Sequence, residues 1–190
     1  KYKVELNGTN IENYEKLLEL SHIKRVNIYF DTKWLFNRTL RSDLNSADLI
    51  IRLLAIDNYL GKNEFGFELY NKMQQKRIVT NREIPKNNKD YENEFKKLIQ
   101  SIEINGYDTE KPVELNKRFE VFDGAHRLAC AVAFNIHKIP VKFSQKYINK
   151  TYDYSLEWFR NNGLSNFETY IMEKYQELVK KEIIVGDKYV

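Results

Sequence analysis

Apolar residues recur along this chain with two periods, and the switches between them set the expected order of elements. Ile11, Tyr14, Leu17 and Leu18 fall at helical spacing, and Val26, Ile28 and Phe30 then alternate as one face of a strand. Ser46 is placed to cap a helix through Leu60 that is apolar on most faces over Asp48 to Tyr59 and is stopped by Gly61. Phe65 to about Arg77 gives a second helix. The stretch Thr80 to Asp90, TNREIPKNNKD, joins Pro85 to Asn, Lys and Asp residues and reads as a loop. It closes an N-terminal, mostly helical region, residues 1–89.

Beyond that loop Phe95, Leu98, Ile99 and Ile102 mark one face of a helix ending at Asn105-Gly106. Pro112 to Leu115 and Phe119 to Phe122 are short strand-like runs joined as a hairpin through Asn116-Lys117-Arg118. Asp123-Gly124 ends the second of them. Gly124 to Asn135 is helical and apolar almost all round, which places it inside the fold. Ile139 to Phe143 returns as a strand. The expected fold class is therefore α+β: a small mixed sheet within residues 90–145 covered by the Phe95 and Gly124 helices. A C-terminal tail, residues 146–190, adds helices over Tyr154 to Asn161 and Phe167 to about Lys181, with a break at Gly163.

Composition narrows the class. With seven Gly and three Pro in 190 residues, turn punctuation is about half the usual share, which argues against solenoids, propellers and many-stranded sandwiches. A net charge of +4 is too small an excess to demand a polyanionic partner, although a small anion such as a nucleotide suits it. The lone Cys130 excludes an internal disulfide and a Cys-cluster metal site and favours a reducing compartment. No apolar run approaches the roughly 18–20 residues that span a bilayer, so a cytoplasmic protein without membrane contact is expected.

The chemistry concentrates at Asp123-Gly124-Ala125-His126-Arg127, a strand, a tight turn and a buried helix in succession. Glycine there lets the backbone approach a ligand, and the first N–H groups of the helix offer an anion site. Gly124, Ala125, His126 and Arg127 are the expected phosphate-binding residues, with the Arg127 fork suited to phosphate oxygens. An arginine at the start of an apolar helix also needs an anion to offset it. A carboxylate at Asp123 has two uses beside phosphate: holding Mg²⁺, or taking a proton from an attacking hydroxyl. The plainer alternative makes Asp123 a helix cap and His126 and Arg127 solvated first-turn residues.

The run FKKLIQSIEINGYDTEKPVELNKRFEVFDGAHRLACAVAFNIHKIPVKF, residues 95–143, resembles the ParB/sulfiredoxin-like family in its order of features. These are a helix ending in Gly, a Pro-initiated strand, a hairpin, Gly-x-x-Arg at a helix start, an Ala-rich helix and an Ile-Pro-Val strand. The resemblance covers about a quarter of the chain. It implies a small nucleotide-binding α+β core and ATP, ADP or CTP as cofactor. DGAHR is closest to the free-serine-kinase-like members, and with YSLEWFRNNG it also resembles ParB-like proteins associated with surface-polysaccharide synthesis. The function so implied is a nucleotide-dependent phosphotransferase, a kinase acting with Mg²⁺ on a hydroxyl of a serine-like or sugar-related precursor. Asp123, His126 and Glu94 would be its catalytic residues and Asp123 its metal ligand. The alternative is a CTP- or ATP-binding module that engages DNA or protein without transfer.

Departures from that family sharpen the choice. Ala125 stands where sulfiredoxins carry a reactive Cys, which weighs against sulfinic acid reduction. Residues 153–190 hold five Lys/Arg against seven Asp/Glu, a poor surface for DNA phosphates. Cys130 is expected to be a small buried hydrophobe, His22 and His137 to be structural, and the tail aromatics to pack in the core. Glu92 and Glu94 stand at the head of the Phe95 helix, where the dipole alone favours them. Arg38, Arg41, Arg77 and Arg82 are expected on a solvated face, with extension of the anion site as the alternative.

Overall fold

Two parallel and two antiparallel pairings build the sheet. In a computed structural model of the protein, which describes residues 2–6, 16, 17, 19, 26–80, 90–143, 146, 147 and 149–185, the strands are β1 (Tyr2–Leu6), β2 (Val26–Asp31), β3 (Val113–Leu115), β4 (Val121–Asp123) and β5 (Lys138–Phe143). They lie in the order β1-β2-β5-β3-β4. β1 runs parallel to β2 and β3 parallel to β5, whereas β2 with β5 and β3 with β4 are antiparallel. The described helices are α1 (Thr32–Leu40), α2 (Asp48–Tyr59), α3 (Gly66–Thr80), α4 (Tyr91–Asn105), α5 (Ala125–Ala133), α6 (Leu156–Asn161) and α7 (Phe167–Lys180). They flank the sheet, so the chain is an α+β protein.

The sheet is wider than the sequence pattern implies, because β1 and β2 join it from residues before 90. Residues of 1–89, 90–145 and 146–190 all contribute to one hydrophobic core cluster. Strand β1 and helix α1 were not anticipated. The helix follows β2 without an intervening turn, since Asp31 both ends the strand and caps α1 through a 2.8 Å bond accepted from the Trp34 N–H. Of the helix expected over Ile11 to Leu20, Lys16, Leu17 and Glu19 are helical and the rest lies outside the described residues, as does 81–89 of the expected loop.

Other boundaries moved for local reasons. Ser46 does not cap α2: Ala47 holds that position with no side-chain cap, and Ser46 instead bridges to Tyr154. The second hairpin strand starts at Val121, because Phe119 takes a left-handed φ of 62° in the turn. Asn116 organises that turn, its Oδ1 accepting from the Arg118 and Glu120 N–H groups and its Nδ2 donating to the Glu120 carboxylate and the Lys150 carbonyl.

Helix α5 sits at the centre, packed against α1, α2, α4 and β3, with Leu128, Ala129, Cys130 and Ala131 fully buried. Small side chains on this helix let the others approach closely. The tail is core rather than stacking platform: Phe159, Phe167 and Ile171 are fully buried, and the buried Lys174 ties α7 to α2 through a 2.5 Å pair with Asp57. No helix among the described residues is long and apolar enough to cross a membrane.

Helices α2 and α3 approach most tightly at Gly66, where a Cβ would lie 2.0 Å from the Leu54 carbonyl oxygen. Gly66→Ala must force that backbone apart, and overpacking of this kind costs about 1–3 kcal/mol or more. Urea unfolding of this variant is expected to show a lowered midpoint with an unchanged slope. An unaltered midpoint would contradict the close helix approach.

Candidate functional site

Strand β4 ends at Asp123 and α5 starts at Ala125, so Gly124 alone turns the chain. Its φ is +99°, and a Cβ there would lie 2.8 Å from Val113 Cγ1 and 2.9 Å from Arg127 Nη2. Conformation and space both call for glycine. No side chain caps the helix at Gly124, and the first turn of a helix presents N–H donors and the positive end of its dipole.

Two cavities meet at this turn. The inner one, about 200 Å³, lies between Asp48, Arg52, Gln74 and Arg77 on α2 and α3 and the Asp123–His126 turn opposite. The outer one, about 640 Å³, is walled by Tyr70, Phe95 and Leu98 and carries Glu94, Lys111 and Arg127. Tyr91, Asp123, Gly124 and His126 line both. Asp123, Glu94, His126 and Arg127 are thus brought to one cavity, and Ala125 faces the inner one.

Each side chain has a defined setting. His126 Nε2 lies 2.9 Å from the Tyr70 hydroxyl, and its ring meets Phe95 edge-on at 4.6 Å. Burial pushes the Tyr70 hydroxyl up to about 12, so it stays protonated. Asp123 is half exposed, with its Oδ2 3.5 Å from Arg127 Nη2. Glu92 turns aside to Lys96 and Asn71, and these two bonds hold its carboxyl below the usual carboxylate range. It lines neither cavity.

Arg127 finds its partners inside the chain. Its Nη1 donates to the carbonyls of Lys111 and Pro112, both at 2.9 Å, so the guanidinium straps the start of α5 to the start of β3. The expected need of this arginine for an outside anion is met in large part by those carbonyls and Asp123.

The cations with unmet donors are deeper. Arg52 is 1% exposed and Arg77 8% exposed. Arg52 Nη1 donates to Asp48 Oδ2 at 2.6 Å and to the Asp48 carbonyl at 2.8 Å. Arg77 Nη1 donates to Gln74 Oε1 at 2.6 Å and its guanidinium lies 4.5 Å above the Tyr154 ring. Among the described residues no carboxylate stands within ion-pair distance of Arg77. The Nε of both arginines is buried without a partner, and an unmet buried donor costs about 1–3 kcal/mol. Burial lowers the Arg52 pKa, and the adjacent Arg77 lowers it further against the pull of Asp48. At Arg77 burial also opposes the charge, yet Asp48, Tyr154 and Tyr152 outweigh it and its pKa lies above the ordinary value.

This pair corrects two sequence readings. Arg77 is not on a solvated face, and Arg52 lies in a helix whose sequence reads as apolar on most faces. The signal for Arg77 was spacing: Gly66, Tyr70, Met73 and Arg77 form one stripe along α3, and all four are buried. The signal for Arg52 was Asp48 one turn earlier. Arg38 and Arg41 are surface residues bonded to the Arg118 carbonyl and to Asp43, and Arg82 lies outside the described residues.

Among the described residues no three His, Cys, Asp or Glu side chains converge on a metal site. Mg²⁺ bound mainly through phosphate oxygens needs one or two carboxylates, and Asp123 fits that more modest demand. Cys130 is fully buried and burial pushes its thiol up to about 12. Thiolate chemistry needs the opposite setting. A disulfide dye at pH 8 is therefore expected to leave Cys130 unreacted in the native protein and to label it fully after unfolding. Rapid native labelling would refute its burial.

No family model, curated protein or solved structure matches the chain.

Proposed function

We propose that this chain is a nucleotide-dependent phosphotransferase, a small-molecule kinase that moves a phosphoryl group from ATP or ADP, with CTP the third candidate, to a hydroxyl of a small metabolite. The observation that carries this reading is the meeting of two cavities at Asp123, Gly124 and His126. Phosphoryl transfer is mostly positioning and electrostatic stabilisation, so it needs donor and acceptor delivered to one point beside fixed dipoles. The order of features resembling the ParB/sulfiredoxin-like family supports the same assignment.

In this reading the nucleotide occupies the outer cavity, whose 640 Å³ lies within the roughly 300–1,000 Å³ usual for ligand pockets. Tyr91, Phe95 and Leu98 offer the apolar wall for a base or ribose, and Lys111, His126 and the start of α5 take the phosphates. Arg127 holds the turn in shape. The acceptor enters the inner cavity and its hydroxyl oxygen attacks the terminal phosphorus. The bond from that phosphorus to the bridging oxygen breaks, the shortened nucleotide leaves, and the hydroxyl proton passes to Asp123. Where Asp123 holds Mg²⁺ instead of acting as the base, the ion would neutralise phosphate charge and the hydroxyl proton would pass to solvent. Glu94, on the first turn of α4, faces the same space. A serine-like or sugar-related acceptor, surface-polysaccharide synthesis and a cytoplasmic setting belong to this proposal through the family resemblance.

The test is incubation with ATP, ADP or CTP, Mg²⁺ and a pool of hydroxylated metabolites, followed by mass spectrometry for added phosphate. Transfer is expected with the native chain and not with Asp123→Asn, whose fold and nucleotide binding persist. Arg127→Ala removes the strap that shapes the turn, in which each charge-assisted bond is worth about 1.5–3 kcal/mol, so nucleotide affinity read by calorimetry should fall about tenfold or more as the turn loses its geometry. Full transfer by Asp123→Asn would overturn the assignment. So would the absence of transfer across the pool together with CTP altering the affinity for DNA or a protein, the behaviour of a binding module.

A further inference from the structure

We propose that the inner cavity is a carboxylate-binding site formed by Arg52 and Arg77, so that the ligand it admits is a small monoanionic hydroxy acid. The inference rests on the phosphotransferase reading only in calling that ligand the acceptor. Both arginines are more than nine-tenths buried, both line the cavity, and each has an Nε donor without a partner.

Charge selects the ligand class. The floor holds two guanidiniums against one carboxylate, Asp48, which is taken up by Arg52 at 2.6 Å. The surplus is one positive charge, centred on Arg77. A single carboxylate balances it, and its two oxygens match the planar fork of a guanidinium. A phosphate monoester would bring nearly two negative charges into a space also lined by Glu120 and Asp123. Those two are committed elsewhere: Glu120 to Asn116 and, at 3.9 Å, to Arg41, and Asp123 to Arg127. They still disfavour a dianion. A neutral ligand would leave the surplus charge uncompensated.

Size and direction agree. At about 200 Å³ the cavity is below the usual range for drug-sized ligands, which restricts it to a few heavy atoms. Asp123 and the α5 N-terminus stand opposite the arginines, so an acid anchored on Arg77 presents its hydroxyl end to the turn. The arginines come from α2 and α3, outside residues 95–143, whereas the turn that faces them belongs to the segment that carries the family resemblance.

The experiment is calorimetry on the full chain without nucleotide, using matched three-carbon probes: glycerate, glycerol and glycerol 3-phosphate, with glycolate and ethylene glycol as a shorter pair. Each acid is expected to bind at least tenfold more tightly than its neutral partner, and glycerate more tightly than glycerol 3-phosphate. Arg77→Met should remove the preference for acids. Arg77→Lys, which keeps the charge and loses the fork, should fold in any case and lower glycerate affinity about tenfold. Equal binding of acids and neutral partners, stronger binding of the phosphate ester, or an Arg77→Lys variant with native glycerate affinity overturns the proposal. Because no transfer is measured, a protein that binds glycerate without phosphorylating anything sustains this inference and defeats the kinase. Transfer to neutral polyols with no preference for acids does the reverse.

Discussion

Two guanidiniums facing one carboxylate inside the fold are the constraint from which the site follows. Arginines are almost never fully buried without partners, and here one is held by an acid on the same helix while the other rests on an amide oxygen and the Tyr154 side chain, with no carboxylate within ion-pair distance among the described residues. Removing one member of a buried pair costs about 3–5 kcal/mol, so Asp48 and Arg52 hold each other in place. Arg77 has no such fixed counterion among the described residues. A chain tuned for stability alone would put Leu or Met at both arginine positions, since apolar replacements of buried ion pairs are often neutral or stabilising. Retaining the surplus charge, with two unmet Nε donors, marks a place where stability has been exchanged for something else.

The surrounding helices are arranged so that this charge is kept dry and in range of the turn. Gly66 lets α3 lie directly on α2, and three turns further along the same stripe Arg77 comes level with Arg52. Helix α5 approaches from the other side, its small residues Ala129, Cys130 and Ala131 permitting contact with both α1 and α2. The strap from Arg127 to the Lys111 and Pro112 carbonyls fixes where α5 begins.

Much of this was legible, and the failures have physical causes. The α5 helix, the Asn105-Gly106 stop and the β3–β4 hairpin follow from local rules: apolar periodicity, a left-handed C-cap and an Asn that can satisfy several turn N–H groups. Helix α1 was missed because Asp31 serves two elements at once and no turn residue separates them. The full width of the sheet was missed because pairing β2 with β5 joins residues more than a hundred positions apart, which no periodicity reports. At the site, Asp123 and His126 could be found from the turn they occupy. Arg52 and Arg77 could not be found by looking for charge on a polar face, because they lie on buried faces, where a charge reads as an interruption of the pattern rather than its purpose.

That distinction bears on what the site can do. A line of polar side chains runs from the inner cavity to the start of α5: Arg77 donates to Gln74, Tyr70 stands one turn before Gln74 on α3, and the Tyr70 hydroxyl meets His126. Each link sits on a rigid helix, and three of its members are on α3. Networks of this kind polarise one another in a low-dielectric interior, so an anion that draws on the Arg77 guanidinium also shifts the field at the imidazole that lines both cavities. Arg127, by contrast, is bonded to the backbone and communicates shape rather than charge. The two kinds of arginine therefore divide the work by position. Arg127 at the mouth fixes the geometry of the turn, and Arg52 and Arg77 at the floor set the potential that any occupant of the junction experiences.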